Sequence, residues 1–375
     1  MKAVYTELHR SHDPQFFLVR GVVQRTTEQP ERADRLLAGL KAGKHDLVAP
    51  TVFGQGPRAR VHSPEYLRFL EEAWDAWSAL GDAGPEMIAN MHPVRYAATY
   101  PTHIVGRLGW HTIDTSCPIG PGTWAAACTA TDVATTAAQL VMNGKDAAYA
   151  LCRPPGHHAY RDLAGGFCFL NNSAVAAAQL KLKHERVAIL DVDVHHGNGT
   201  QEMFYESPEV LYTSLHQFPH YPGTGSLHEI GYGPGTGYTI NMPMPAEFGD
   251  GEYLRVFDRL IMPIGRHFKP EFILVSAGFD CHFRDPLAQM RVTENGFAAM
   301  AQRVNQLAAE CCDNKVVAAL EGGYDLDAIA GSGRAVIEEF GRDGDEGIRA
   351  EQDGDRVMPM IERVSQNVGR FWNLG

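Results

Sequence analysis

The sequence contains no CxxC pair, and its seven cysteines are an odd number. A zinc ribbon or a disulfide framework is therefore not expected. It has no apolar run of about 18 residues, the length a membrane-spanning helix needs, so no membrane partner is expected. The first residues, Met1-Lys-Ala-Val-Tyr-Thr-Glu-Leu-His9, lack the apolar stretch of a secretory signal. A reducing cytoplasm is the expected setting. Basic residues are in deficit, with 33 Lys and Arg against 45 Asp and Glu and a formal charge of −12. That balance argues against nucleic-acid binding and mildly favours cationic substrates. No internal repeat and no convincing linker interrupts the 375 residues. With 44% hydrophobic and 21% charged residues, a single domain over 1–375 is expected.

What is present is a regular alternation. Apolar runs at Ala147–Cys152, Arg186–Leu190, Val210–Leu215, Phe272–Ser276 and Val316–Leu320 predict strands. Longer periodic stretches at Trp124–Met142, Asn171–His184, Tyr253–Phe268, Glu294–Cys311 and Leu326–Phe340 predict helices. Strands that are almost continuously hydrophobic belong to a parallel sheet covered on both faces. The predicted fold is α/β, an open, mostly parallel sheet flanked by helices. Residues 82–122 carry few regular signals and read as a long loop excursion with a functional or assembly role. Residues 342–356 read as a solvated loop. The run Gly231–Gly237 leads into the strand-like Tyr238-Thr-Ile240 rather than a helix, so it reads as turns and not a phosphate cradle. Cys168, Cys311 and Cys312 read as packing residues.

Five polar motifs follow the five predicted strands. They are Arg153-Pro-Pro-Gly-His157-His158, Asp191-Val-Asp193-Val-His195-His196, Ser214-Leu215-His216, Gly278-Phe-Asp280 and Glu321-Gly-Gly-Tyr324-Asp325. In an open parallel sheet, sites form outside the carboxyl ends of strands, so these motifs can converge. Asp193 and His195, at i and i+2 past a strand end, point the same way. Asp280 from a neighbouring strand end completes a three-ligand set with an open fourth position, the geometry of a catalytic zinc. The same donors also accept iron(II). His157 and His158 follow Pro-Pro-Gly and can share one cavity, with Asp191 and Asn198 as candidate partners for their second ring nitrogens. An Asp partner raises imidazole basicity, whereas Asn orients without charge, so one histidine suits charge stabilisation and the other proton transfer. Tyr324 can donate to a carbonyl or its oxyanion. Phe167 and Tyr221 are candidate channel walls, while Phe218, His216 and His220 have weaker claims.

These residues resemble the histone deacetylase family, of the arginase–deacetylase fold. The resemblance rests on Arg153-Pro-Pro-Gly-His-His158, Gly166-Phe-Cys-Phe-Leu-Asn-Asn172, Asp191-Val-Asp-Val-His-His-Gly-Asn-Gly-Thr200 and Glu321-Gly-Gly-Tyr324. It implies that Asp193, His195 and Asp280 hold zinc and that His158 is the general base and then acid. It implies further that His157, paired with Asp191, stabilises charge, and that Tyr324 polarises the scissile carbonyl. Phe167 and Tyr221 would flank the acyl-amine chain, with the Gly166 carbonyl facing it. The family also binds potassium. One site would use Asp191, Asp193, His195, Ser214 and Leu215, and a second would use backbone oxygens near Phe204, Ser207 and Val210. Asn198 stands where class I enzymes carry Asp, which points to the class II and bacterial branches.

The amino-terminal part is similar to bacterial acetylpolyamine amidohydrolases, through Glu28–Asp34, Val61–Leu70 with Ala73-Trp74, Pro93-Val-Arg95 with Pro101-Thr102, and Pro121-Gly-Thr-Trp124. That likeness implies a homodimer whose 82–122 segment narrows the entrance, and small acetylated amines as substrates. Val105 and Ser116 stand where it leads one to expect glutamates, with Asp114 close by, so acetyl-lysine is the alternative substrate. A dinuclear manganese ureohydrolase would need bridging carboxylates where this chain has His282 and Gly197. An inactive binding module would have lost a ligand, the histidine pair or Tyr324, and none is lost.

Overall fold

A computed structural model describes residues 1–144, 147–341 and 354–374. Its strands are β1 (Lys2–Val4), β2 (Phe17–Val19), β3 (Val22–Gln24), β4 (Asp46–Val48), β5 (Ala147–Ala150), β6 (Val187–Asp191), β7 (Val210–Gln217), β8 (Thr239–Met244), β9 (Phe272–Ala277) and β10 (Val316–Leu320). Eight of them form one sheet in the order β4-β1-β5-β10-β9-β6-β7-β8, and every pairing in it is parallel. β2 and β3 make a separate antiparallel hairpin.

The strands are hydrophobic throughout because each face has its own helical cover. In β6, Ala188 and Leu190 join one core, while Val187 and Ile189 join the other. β9 and β10 divide in the same alternating way, with Ile273, Val275, Ala318 and Leu320 on one side and Leu274, Val317 and Ala319 on the other. The first core is closed by helices Pro30–Ala42, Glu294–Cys311, Leu326–Phe340 and Met358–Val368, the second by Thr123–Met142 and Asn172–Leu180. A third cluster joins helix Pro64–Ser78 to Met87, Ile104, Leu108 and Ile119 and to the chain at Phe169-Leu170.

The five expected strands form, with ends displaced by at most two residues. β1 and β4 were not foreseen, because three residues are too few to show a period. Helices Glu294–Cys311 and Leu326–Phe340 begin where Thr293 and Asp325 cap them: Thr293 accepts from the Gly296 N–H and Asp325 from those of Asp327 and Ala328. Two expectations need correction. The helix expected over Asn171–His184 stops at Leu180, with Asn171 as its cap. The helix expected over Tyr253–Phe268 starts at Asp250 and widens to a π turn over Phe257–Ile261, ahead of Pro263. The 82–122 excursion is not all loop: it contains helix Ile104–Trp110 and pairs Met87 with Ile119. Of the 342–356 reading, residues 342–353 lie outside the described residues.

Candidate active site

β5, β10, β9, β6 and β7 are consecutive in the sheet, so the four polar motifs that leave strand ends stand side by side; the fifth, Ser214-Leu215-His216, was expected to follow its strand but lies within β7 itself, which runs on to Gln217. Asp191 lies level with Ser214 on one neighbour and Ser276 on the other. The chain leaves β6 and presents Asp193 and His195; the chain leaving β9 presents Asp280 beside them. One donor atom from each of these three buried residues lies within 4.8 Å of the other two. His195 Nδ1 is 3.2 Å from Asp193 Oδ1 and 3.0 Å from Asp280 Oδ2. The outer carboxylate oxygens are held from behind, Asp193 Oδ2 by the Gly322 N–H at 2.7 Å and Asp280 Oδ1 by the Val194 N–H at 2.9 Å.

This donor set fits a divalent cation. Burial, then the charge of Asp193, pushes Asp280 above the usual carboxylate range. Repulsion between two buried carboxylates is relieved by a positive ion, and two oxygens with one imidazole nitrogen match zinc's ligand chemistry. Backbone closes in tightly around them: a Cβ on Gly322 would lie 2.2 Å from Asp280 Oδ2 and 2.6 Å from Asp193 Oδ2. There is no space for a second bridging carboxylate at Gly197, where a Cβ would meet Asp191 Oδ2 at 2.2 Å and the Tyr212 hydroxyl at 2.5 Å. His282 turns instead toward Glu294, 3.4 Å away.

The two adjacent histidines are held differently, as their sequence neighbours suggest. His157 Nδ1 meets Asp191 Oδ2 at 3.1 Å, and the Tyr212 hydroxyl donates to the same oxygen at 3.0 Å. His158 Nδ1 meets Asn198 Oδ1 at 2.6 Å, while the Asn198 amide faces the His158 carbonyl at 3.4 Å and so fixes which way the side chain points. Burial alone would lower His157, yet the charges of Asp193 and Asp191 push it above the imidazole range. Burial, then the charge of His157, holds His158 below that range. Environments that separate two neighbouring groups in this way suit distinct acid–base roles.

Around this pair lie the expected channel residues. Tyr221 crosses the His158 ring edge-on, with centroids 5.1 Å apart. Phe167, at φ +69°, lies 5.5 Å from Tyr324 and 5.3 Å from Phe17 of β2. Gly166 and Phe167 are tied to the excursion: the Gly166 N–H donates to Asp114 at 3.3 Å and the Phe167 N–H to the Ser116 hydroxyl at 3.3 Å. Asp114 also accepts from the Tyr221 hydroxyl at 2.6 Å. Cys168 is buried and its thiol faces the Gly166 carbonyl. Of the residues tied to potassium, Ser214 shares a hydrogen bond with His216 at 2.9 Å. The Ser207 N–H donates to the Phe204 carbonyl at 2.9 Å, and Val210 opens β7.

Several neighbours were not singled out by sequence. Buried Glu321 accepts from the Gly156 and His157 N–H groups at 2.6 and 3.1 Å, so it fixes the turn that carries both histidines; burial pushes it up to about 7. Arg32 lies over the Tyr324 ring at 4.7 Å and donates to the Gly323 and Glu321 carbonyls. Glu28 bridges Arg32 and Arg153, each at 2.8 Å. His220, which the sequence offers only as a weaker candidate, stacks on His195 at 5.2 Å. The signal available for these was weak: Glu321 and Glu28 lie inside the matched motifs, but nothing local shows a carboxylate reaching across the fold.

Comparison with known proteins gives the same picture. Residues 26–340 match the histone deacetylase domain model. The chain is 39% identical over 334 residues to an acetylpolyamine amidohydrolase of Burkholderia pseudomallei, covering 88% of this chain and 96% of that one. It is 40% identical over 340 residues to the acetylpolyamine amidohydrolase of Mycoplana ramosa, again 88% and 96%. The crystal structure of the B. pseudomallei acetylpolyamine aminohydrolase superposes with a TM-score of 0.86 at 39% identity, over 91% of this chain and 98% of that one. A family model spanning most of the chain, relatives matched nearly end to end, and a shared parallel-sheet architecture make this chain a deacetylase-type hydrolase that belongs to the histone deacetylase family.

Proposed function

We propose that this protein hydrolyses the acetyl amide of small acetylated amines, acetylpolyamines foremost, with one zinc ion held by Asp193, His195 and Asp280. The observation that carries this reading is the buried three-donor cluster beside two histidines of opposite tuning. A divalent ion bound there supplies Lewis acidity toward the substrate carbonyl and water; iron(II) suits the same donors. Family membership supports zinc.

His158 keeps its Nδ1 proton on Asn198, which leaves Nε2 free as the base. It takes a proton from the attacking water and returns it to the leaving nitrogen as the C–N bond breaks, giving acetate and the free amine. His157, on Asp191, stays cationic and offsets the negative charge that builds at the carbonyl. The Tyr324 hydroxyl donates to that oxygen. Phe167 and Tyr221 flank the methylene chain, and the Gly166 carbonyl faces it. The net negative charge of the chain suits a cationic amine, and Asp114, close to the channel, is its candidate partner.

Potassium is proposed to bind at Asp191, Asp193, His195, Ser214 and Leu215, and again near Phe204, Ser207 and Val210. The protein is proposed to be one catalytic domain over 1–375 that works as a cytoplasmic homodimer, with 82–122 at the entrance. No helix among the described residues is long and apolar enough to cross a membrane. A kinetic panel of acetylputrescine, acetylcadaverine and acetyl-lysine peptides tests the substrate. Higher kcat/KM on the acetylated diamines is expected, and a strong bias toward peptides would overturn that choice while sparing the reaction. Light scattering tests the dimer.

A further inference from the structure

We propose that Asp285 is a positioning residue for the reaction: one carboxylate oxygen holds the backbone of Tyr324 and the other anchors the loop that holds His220 against His195. This inference rests on the role proposed above for the Tyr324 hydroxyl. Asp285 follows β9 by eight residues and is buried. Its Oδ2 accepts from the Tyr324 N–H at 2.7 Å and its Oδ1 from the Leu287 N–H at 2.9 Å. The Leu287 carbonyl in turn meets His220 Nε2 at 3.0 Å, and the His220 ring stacks on that of His195, with 5.2 Å between centroids and 19° between planes.

Tyr324 needs such a hold. It follows Gly322 and Gly323, the second at φ +112°, and neither glycine has a side chain to brace the turn. Among the described residues Asp285 forms no ion pair. A carboxylate buried without a cation is costly unless its hydrogen bonds serve the fold; one of these ends on Tyr324 and the other on Leu287, whose carbonyl meets the histidine stacked on His195. The hydrogen bond fixes where the phenol stands when the substrate carbonyl arrives, and displacement by about 1 Å is enough to cost a large part of a rate.

Asp285→Asn keeps the shape but can accept on one oxygen only. The expected result is a kcat lower by about tenfold or more, with KM within about threefold and metal content and melting temperature unchanged. A double-mutant cycle with Tyr324→Phe shows whether Asp285 acts through Tyr324. In the Tyr324→Phe background, assayed by single turnover, the loss from Asp285→Asn should shrink to within about threefold. A loss undiminished in that background, or a kcat within about twofold of the parent in Asp285→Asn alone, overturns the inference. Should Asp285→Asn lose metal or unfold, Asp285→Ser is carried through the same cycle; metal loss or unfolding in both also overturns it. Tyr324→Phe alone tests the underlying reading, because full activity there removes the hydroxyl's role whatever Asp285 does.

Discussion

Replacing Asn198 with Asp tests the proton-transfer role of His158 with a single charge. Asn198 Oδ1 lies 2.6 Å from His158 Nδ1, and both side chains are buried. Aspartate has the same shape, so the hydrogen bond to Nδ1 survives; the weak 3.4 Å donation to the His158 carbonyl is lost, and the main new variable is one negative charge. With charge centres about 4 Å apart and an effective dielectric of about 20, its attraction to a protonated imidazole is about 4 kcal/mol, or about 3 pKa units. Burying the new carboxylate offsets part of this, so a net rise of about one to two units is expected. In the parent, burial and the charge of His157 hold His158 low, which keeps it in the base form at neutral pH. Raising its pKa leaves more of it protonated at any given pH. The acid limb of kcat/KM must therefore move up by about one to two pH units. A cation in the neighbouring donor cluster acts on both proteins alike and cancels in the difference. The assay is amine release from acetylcadaverine across about pH 5 to 9, with metal content and melting temperature matched. An acid limb that stays in place, or moves down, refutes the assignment of His158 as the base.

Asp280→Asn should lower bound metal from about one ion per chain to nearly none by elemental analysis, with activity falling in parallel; retained metal at full rate would refute the three-donor centre. Glu28→Gln leaves Arg32 and Arg153 buried without their counter-charge, so urea unfolding should show a loss of about 3–5 kcal/mol, and an unchanged midpoint would show that the cluster does not hold the amino-terminal helix. Asp114→Asn weakens the grip on Tyr221 and Gly166 and removes a charge from the channel side. A drop of about tenfold in kcat/KM for acetylated diamines, mostly through KM, is expected, and an unchanged KM would exclude Asp114 from amine recognition.

Much of the site was legible before any coordinates. The i, i+2 spacing of Asp193 and His195, the tandem histidines and the glycine pair ahead of Tyr324 are local patterns, and local patterns survive in a linear chain. So did the central strands, because a strand covered on both faces must be apolar along its whole length, as β6, β9 and β10 are. Helices Glu294–Cys311 and Leu326–Phe340 run over the residues their periodicity predicted. The short strands β1 and β4 left no such trace, since a three-residue segment has no period to read.

Tertiary structure decided what distance along the chain conceals. Sheet order sets β9 beside β6 and β10 beside β9, so Asp280, Asp193 and Tyr324 meet although 87 residues separate the first two. It also gave Asp114, Glu321 and Asp285 partners that sequence does not show: the Tyr221 hydroxyl, the backbone of the histidine turn and the backbone of the tyrosine turn. A carboxylate gains such a role only when a distant backbone N–H arrives within hydrogen-bond reach and water is excluded. Residue type and spacing name the reactive groups; packing alone chooses the partners that aim them.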